Sequence, residues 1–268
     1  MIGIAYSESD PASRNMAEHL IKEHGFEEWE MRGERCWRKE HAILWRSISP
    51  LISAEEIDDL GFDCVYFLSR HKSAEGVPAL TTHSLGNWGR EAKLGGKPGQ
   101  LSFAAPMEML GIIKGIEGMD SVGFEKTYEA THHGPLMKTP SLFVELGGDE
   151  RSINSKMMAQ RLADKVDAAI FEEEADCSKV VMGIGGTHYP RKFTMLAIGK
   201  GYAFSHIMPR YAILNPDGSD NLSVLELVLE RSSAEPEAAV VEWRSLSAVI
   251  KERVLNKLGE IGLDHERA

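Results

Sequence analysis

Short apolar runs alternate with longer helix-like segments along this chain, and that alternation is the strongest constraint on its fold. Met1–Tyr6 is typical of a buried strand, and Asp10-Pro11 supplies a cap and first residue for a helix over Ala12–His24. The same reasoning predicts strands at His41–Ile48, Asp63–Ser69, Pro78–Ser84, Lys126–Thr131, Ser141–Leu146, Lys179–Ile184 and Phe193–Ile198. It predicts helices beginning at Ser53 and over Ala105–Ile116, Ser152–Phe171 and Leu246–Leu258. We therefore expect an α/β fold with a mixed, mostly parallel sheet and helices on both faces.

The chain has 268 residues, of which 43% are hydrophobic, so it can bury a large core. No internal repeat is visible, and the most linker-like stretch, Ser232–Glu237, lies late enough to be a surface loop. We predict a single α/β domain over residues 1–268. No apolar run approaches a membrane span, and the polar residues after Tyr6 argue against a signal peptide. We expect a cytoplasmic protein with no membrane partner, and we expect a monomer.

Cysteine usage and charge narrow the chemistry. Three widely spaced cysteines without a CxxC pair argue against a disulfide framework and a thiolate zinc site, so a bound metal would use histidine and carboxylate ligands. A net charge of −11 argues against general nucleic-acid or DNA binding. However, no acidic residue lies between Asp176 and Asp217, and Asn87–Lys97 is also weakly basic. The acid-poor stretch has two open interpretations, buried strands or a basic surface for an anionic ligand.

Six of the ten histidines fall near predicted strand ends, where a rigid sheet positions loop chemistry: His71, His83, His132, His133, His188 and His206. Neutral imidazole is a common zinc ligand, and a catalytic zinc site needs three protein ligands and one open position. The candidate metal ligands are His83, His132, His133 and His188. Because neighbours on a strand point to opposite faces, His132 and His133 would share one ion only if Gly134-Pro135 breaks the alternation. Otherwise we expect one of the two to be a ligand and the other to be either an outer partner of a ligand or a substrate contact.

Two acidic residues lie inside predicted strands that flank the double-histidine turn. Glu129 and Glu145 need partners if buried, and either could act as a general base. Thr131 and His133 complete the candidate catalytic set. Asp149 and Glu150 are better explained as caps of the following helix. The N–H groups of Gly185 and Gly186 could face an oxyanion or a phosphate.

The candidate substrate-binding residues are cations, imidazoles and turn residues near these strand ends: Arg70, His71, Lys72, Asn87, Gly185, Gly186, Tyr189, Arg191, Lys192 and His206. A G-x-S-x-G elbow, a P-loop and a G-x-G-x-x-G fingerprint are all missing from the sequence. The sequence therefore gives no support to a serine hydrolase, a nucleoside triphosphatase or a dinucleotide-dependent enzyme.

Several of these motifs, taken in order, resemble the archaeal and plant type of D-aminoacyl-tRNA deacylase. They are Ser69-Arg70-His71-Lys72-Ser73, Pro78–His83, Gly86-Asn87-Trp88, Glu129–Pro135, Glu145-Leu146-Gly147 and Gly185–Tyr189. The resemblance spans roughly residues 1–211, and one departure is Gly148, where the family is expected to carry a small hydroxyl residue. It implies a phosphorylase/hydrolase-like α/β fold and a zinc-dependent esterase that frees D-amino acids from mischarged tRNA.

The resemblance and the residues together suggest a mechanism. Zinc held by a subset of the four candidate ligands would activate a water, and Glu129 or Glu145 would take its proton during attack on the ester. Three alternatives stay open: a metal-dependent hydrolase of a small peptide-like or amide substrate, a catalytically silent tRNA- or nucleoside-binding protein, and an esterase assisted by the terminal hydroxyl of tRNA itself.

Overall fold

A computed structural model describes residues 1–72, 76–172 and 175–268 of the chain. Ser73, the last residue of one predicted motif, lies outside these ranges. The strands are β1 Ile2–Tyr6, β2 Glu27–Met31, β3 Glu34–Lys39, β4 Ala42–Arg46, β5 Cys64–His71, β6 Ala79–His83, β7 Gly86–Asn87, β8 Gln100–Leu101, β9 Glu125–Tyr128, β10 Ser141–Gly147, β11 Lys179–Ile184, β12 Tyr202–Met208, β13 Ala238–Val241 and β14 Asp264–Arg267. The α-helices are α1 Pro11–Glu23, α2 Pro106–Glu117, α3 Glu150–Ile153, α4 Lys156–Phe171, α5 Arg191–Lys200, α6 Leu225–Glu230 and α7 Ala248–Glu260.

The main sheet has eight strands in the order β2-β3-β4-β1-β5-β10-β6-β9. Its centre is parallel, because β1 pairs in parallel with β4 and β5, and β5 pairs in parallel with β10. Strand β6 runs antiparallel to β10 and parallel to β9. The predicted mixed, mostly parallel sheet is therefore confirmed.

The two faces of this sheet are covered by different kinds of helix. Tyr66 and Leu68 share a core with residues of α1, α2 and α4. Val65 and Phe67, one residue out of phase on the same strand, share a second core with the 3-10 segments 51–53 and 55–60. Side chains alternate between the faces of a strand, so both faces of β5 are buried and its sequence is apolar from Cys64 to Leu68.

A second sheet of four parallel strands has the order β12-β11-β13-β14. The core under α2 contains Phe204 and Val240 of this sheet together with Leu80 and Val144 of the main sheet. The two sheets therefore share one hydrophobic core. No helix in the described ranges is long and apolar enough to cross a membrane.

One predicted element has the wrong type. Phe193–Ile198, expected to be a strand, lies inside helix α5, and the strand of this region is β12. The buried residues Phe193 and Ala197 are four apart, which is the helical period, and Gly201 ends the helix with a φ of 70°. The short apolar run concealed that period.

Caps divide the predicted Ser152–Phe171 helix into two. Asp149 accepts a hydrogen bond from the backbone N–H of Ser152 and begins α3, which confirms its assignment as a cap. The hydroxyl of Ser155 accepts from the N–H of Met158 and begins α4. A second N-cap within the predicted segment explains the break.

Candidate active site

Strand alternation delivers a buried carboxylate to one end of the main sheet. Glu145 is two residues beyond Phe143 on β10 and therefore faces the same side, toward the 3-10 segments. It pairs in register with Ser69 on β5, and the same strand ends at His71. His83 lies opposite Phe143 on β6, with the two rings stacked at 5.3 Å. These strand ends bring a glutamate and two histidines together.

Glu129 enters the same cluster from the end of β9 and is only 1% exposed. Its Oε2 lies 2.7 Å from His188 Nε2 and 3.1 Å from His71 Nδ1. The Oε2 of Glu145 lies 3.3 Å from the same His71 nitrogen and 3.6 Å from His83 Nε2. Two buried carboxylates thus share a set of imidazoles, which provide partners for charges that are costly to bury alone.

The double-histidine turn directs both rings into the cluster. Strand β9 ends at Tyr128, before the predicted Thr131, so strand alternation does not apply to His132 and His133. His133 has a φ of 42°, in the left-handed region, and the two rings lie 4.3 Å apart between centroids. Their centroids are 4.2 and 4.9 Å from that of His83. The stated condition for a shared ion, a turn that breaks the strand alternation, is therefore met.

Backbone carbonyls orient three of these rings in the same way. The Nδ1 of His83 donates to the carbonyl of Ser84 at 3.0 Å, that of His132 to Ala130 at 2.9 Å, and that of His133 to Gly134 at 2.6 Å. Each ring therefore carries its proton on Nδ1 and leaves the Nε2 lone pair for the cluster. This tautomer and outer partner are typical of metal-ligating histidines.

Burial and neighbouring charges set the protonation states. Burial lowers the pKa of His133 to about 4, with His83 adding to the effect, and lowers the pKa of His132 well below its usual range for the same reasons. Burial also lowers the pKa of His71, but the carboxylates of Glu129 and Glu145 outweigh it and raise that pKa to about 10. His132 and His133 are therefore neutral, whereas His71 carries a second proton beside the charged carboxylates.

The donor set fits a metal ion. Two overlapping groups of ligand atoms lie within 4.8 Å of one another: His71, Glu129, His132 and His188 in the first, and His83, His132 and His133 in the second. A third combination joins His83 to both glutamates. Within the described residues, His71 Nε2, His83 Nε2 and both Glu129 oxygens are buried without a partner in hydrogen-bond geometry. Orphaned nitrogen and oxygen atoms of this kind are what a zinc ion would satisfy.

The cluster lies at the bottom of a cleft of about 970 Å³. His71, His132, His133, Glu145 and His188 line its inner end. Apolar residues form a wall, namely Pro50, Leu51, Ile52, Val77 and Leu94, and Arg70 and Lys72 are exposed cations on the lining. The cleft therefore offers a metal-ligand cluster, an apolar wall and positive charge to one ligand.

This chain is similar in sequence to proteins of a known family. A model of the D-aminoacyl-tRNA deacylase family matches residues 59–266. The chain belongs to this family. The D-aminoacyl-tRNA deacylase of Pyrococcus furiosus is 33% identical over 265 residues, covering 95% of each chain. That of Ignicoccus hospitalis is 32% identical over 263 residues, covering 98% of each.

A solved structure of similar shape is described as a conserved protein of unknown function. It aligns with 100% of this deacylase-family chain and 95% of its own, with a TM-score of 0.89 and 28% identity. The match confirms the α/β fold over the whole chain, and the family match confirms the resemblance inferred from the histidine motifs.

Four of the predicted substrate contacts lie in the cleft of this deacylase-family member: Arg70, His71, Lys72 and Tyr189. Six do not line it, namely Asn87, Gly185, Gly186, Arg191, Lys192 and His206. The Gly185 N–H donates to the carbonyl of Met208, and the Gly186 N–H donates to Ser245 Oγ, so neither is available to an oxyanion. The Asn87 amide donates to the carbonyl of Gly95. These groups organise loops instead of a ligand site.

Thr131 and His206 are structural partners outside the cluster. His206 is fully buried, and its Nε2 lies within hydrogen-bond distance of two backbone carbonyls, those of Ser102 and Arg231. Thr131 Oγ1 accepts from the N–H of Ile207 and lies 3.3 Å from His206 Nδ1. The structure does not bring the hydroxyl proposed as catalytic, or this imidazole, to the cleft, because both join β12 to the double-histidine loop.

Acids from elsewhere in the chain neutralise part of the basic stretch between Asp176 and Asp217. Lys179 pairs with Glu266 at 2.7 Å, and Arg191 makes a two-pronged contact with Glu125 at 2.7 and 3.0 Å. In the weakly basic segment Asn87–Lys97, Arg90 is likewise paired with an acid, Asp217. Much of the stretch is also buried strand β11 and β12. Buried strands therefore explain much of the low acid content, and two cations of the stretch are paired with acids.

The sequence analysis gave one residue of this site a different role and did not identify another. His71 was assigned to substrate, yet it contacts both buried glutamates and belongs to one group of metal-ligand atoms. Tyr211 was not considered, yet its hydroxyl lies 3.3 Å from His188 Nδ1. Ser69 pairs with Glu145, and His71 lies two residues further along β5 on the same face. This alternation could have placed His71 in the site. No local signal marks Tyr211, because it reaches the site from a 3-10 turn after β12.

Proposed function

We propose that this protein hydrolyses the ester bond between a D-amino acid and tRNA, with zinc as its cofactor. The observation that carries the proposal is the cluster itself: five imidazoles and two buried carboxylates at the end of a cleft, in a member of the D-aminoacyl-tRNA deacylase family. We further propose a monomeric cytoplasmic enzyme whose partner is the aminoacylated end of tRNA.

The candidate zinc ligands are the four predicted histidines His83, His132, His133 and His188, joined by His71. Three of these rings present Nε2 because a carbonyl holds Nδ1, and Glu129 lies among the ligand atoms. When bound, zinc would polarise the ester carbonyl and supply a water that is nucleophilic at neutral pH.

Glu145 is the better of the two predicted proton acceptors. Both glutamates resist protonation: burial alone would raise their pKa values, but the adjacent histidines lower both. Glu145 lines the cleft and Glu129 does not, and the two closest imidazole contacts of Glu129 Oε2, at 2.7 and 3.1 Å, are shorter than those of Glu145 Oε2, at 3.3 and 3.6 Å. We infer that Glu145 takes the proton of the attacking water and that Glu129 orients the imidazoles.

The cleft walls can distinguish the rest of the substrate. Arg70 and Lys72 provide positive charge for the phosphates near the acceptor end. Leu51, Ile52 and Leu94 form an apolar wall that the amino-acid side chain would meet on one face of the ester. A wall that an L side chain strikes at a cost of about 3 kcal/mol gives roughly 100-fold discrimination. Chirality is thus controlled by shape.

The first test compares hydrolysis of D-tyrosyl-tRNA and L-tyrosyl-tRNA by purified protein, before chelation, after chelation and after zinc restoration. We expect fast loss of only the D ester, abolished by chelation and recovered with zinc. Hydrolysis of neither ester would contradict the deacylase assignment and favour a small-substrate metallohydrolase, which would need no tRNA body. Chelator-resistant hydrolysis would retain the esterase and reject the cofactor.

Single substitutions test whether turnover requires the histidines of the cluster. His133→Ala and His188→Ala should each abolish deacylation while leaving the circular dichroism spectrum unchanged, because each removes a ligand atom from a loop outside the helices and strands. His265→Gln is the matched control, since this exposed histidine lies on β14 in the second sheet. Full activity in both alanine variants would eliminate the scheme.

A further inference from the structure

A second group of histidines and carboxylates lies between helices α1 and α4, apart from the cleft. His19 is on α1, His24 is the residue that caps its end, and Asp164 and Asp167 are three residues apart on α4. The helices pack closely through buried residues that include Met16 and Leu20. The relative position of these side chains is therefore set by the core beneath them.

Two imidazoles converge on one carboxylate oxygen in this group. The Nε2 atoms of His19 and His24 lie 2.7 and 2.8 Å from Oδ1 of Asp164. The two rings are 5.3 Å apart between centroids. The three side chains offer ligand atoms that all lie within 4.8 Å of one another. Two imidazole nitrogens and one carboxylate oxygen match the ligand preference of zinc.

The other nitrogen of His24 already has the partner that a metal ligand needs. Its Nδ1 lies 3.0 Å from Oδ2 of Asp167, and Lys39 Nζ holds both Asp167 oxygens at 2.7 and 2.9 Å. A carboxylate that accepts Nδ1–H fixes the tautomer in which Nε2 is free to bind a metal. Both nitrogens of His24 thus face carboxylate oxygens.

We propose that His19, His24 and Asp164 form a site for a divalent transition-metal cation such as Zn²⁺, which ties α1 to α4. Asp167 and Lys39 position His24 and do not bind the ion. The side chains of His19, His24 and Asp164 are 14%, 20% and 46% exposed, so solvent can reach the site and a water can complete four ligands. Roughly half an ångström of extra separation between the ligand atoms would admit the ion.

The experiment counts zinc in the full-length protein after equilibration at low micromolar free zinc, by plasma mass spectrometry. The double variant His19→Gln/His24→Gln should hold one ion per chain fewer than the wild type, and Asp164→Asn should bind that ion at least 10-fold more weakly. His41→Gln is the control, because His41 is exposed near α4, against Phe171, and is not part of this group. It should keep the wild-type count. Equal zinc content in all variants, or a difference only at millimolar zinc, would overturn the proposal.

Two readouts separate this site from the catalytic cluster. The double variant should keep its rate of D-tyrosyl-tRNA hydrolysis, and its melting temperature should no longer respond to the last equivalent of zinc. If the variants do not fold, anomalous diffraction from wild-type crystals at the zinc edge decides the matter. A peak about 2.1 Å from both Nε2 atoms supports the site, and no peak there overturns it whether or not the protein is a deacylase.

Discussion

Individual histidines in this chain differ in function because of the atom that each Nδ1 meets. His83 and His133 meet backbone carbonyls and present Nε2 to the cluster, whereas His206 is fully buried against Thr131 and two carbonyls. The residue type alone indicates metal chemistry for all of them. Only the surroundings of each ring separate a candidate ligand from a structural residue.

Tyr211→Phe tests such an outer partner. The hydroxyl of Tyr211 is 3.3 Å from His188 Nδ1, on the opposite side of the ring from the Nε2 that contacts Glu129. Its loss should lower kcat/KM for D-tyrosyl-tRNA by about 10-fold, because loss of a ligand's outer partner typically costs 10- to 100-fold. The melting temperature should not change, since Tyr211 is 57% exposed.

The control for that measurement is Tyr202→Phe, whose hydroxyl donates to Glu266 in the second sheet. It should leave kcat/KM unchanged. An equal loss in both variants, or none in Tyr211→Phe, would show that the hydroxyl does not position His188.

Secondary-structure elements were predictable where their burial is one-sided or complete. Strands β1, β5, β10 and β11 are apolar runs whose residues lie in the cores, and α1 carries its cap, Asp10, in the sequence. The hairpin β2–β3 was missed because most of its residues are exposed and charged, so no alternation of polarity marks it. Helix α5 was predicted as a strand because the six-residue run Phe193–Ile198 is too short to show the helical period.

Close packing between β5 and β10 yields a prediction at the scale of strands. An added Cβ at Gly147 would lie 3.1 Å from His71 Cβ and 3.5 Å from the carbonyl of Ala79. Gly147→Ala should therefore displace His71 and lower both zinc affinity and kcat/KM by about 10-fold, measured by zinc titration and by deacylation.

Gly259→Ala is the matched control, because nothing lies within 4 Å of its Cβ position on α7. It should leave activity unchanged and stabilise the protein by up to about 1 kcal/mol in urea unfolding, since glycine weakens a helix. Wild-type zinc affinity in Gly147→Ala would show that His71 does not depend on this contact.

The whole molecule is acidic, with a net charge of −11, so tRNA must be met by local cations. Arg70 and Lys72 line the cleft, where Arg70 lies 3.9 Å from Asp10, while Arg191 and Lys179 are paired with acids elsewhere. Few phosphate contacts imply a shallow salt dependence for a tRNA enzyme. The charge pattern therefore predicts that removal of a single cleft cation measurably changes the salt dependence of hydrolysis.

Lys72→Gln should reduce the slope of log kcat/KM against log salt by about one, because one phosphate contact is lost. The measurement is D-tyrosyl-tRNA hydrolysis at several KCl concentrations. Lys22→Gln on α1, whose lysine pairs with Glu18, is the control and should keep the wild-type slope. A slope unaffected by Lys72→Gln would place the tRNA backbone elsewhere on the surface.

The sequence by itself determined the α/β class, most of the core elements and the residue types that could act in a site. Periodicity and capping are local properties, and the histidines beside Glu129 are visible without a fold. Only the tertiary structure decided which of these groups meet. Register between β5, β10 and β6, and the left-handed turn at His133, brought His71 into the cluster and left His206, Thr131 and the Gly185-Gly186 amides to hold loops together. Those contacts join residues far apart in the chain, and no local pattern encodes the partner of a side chain.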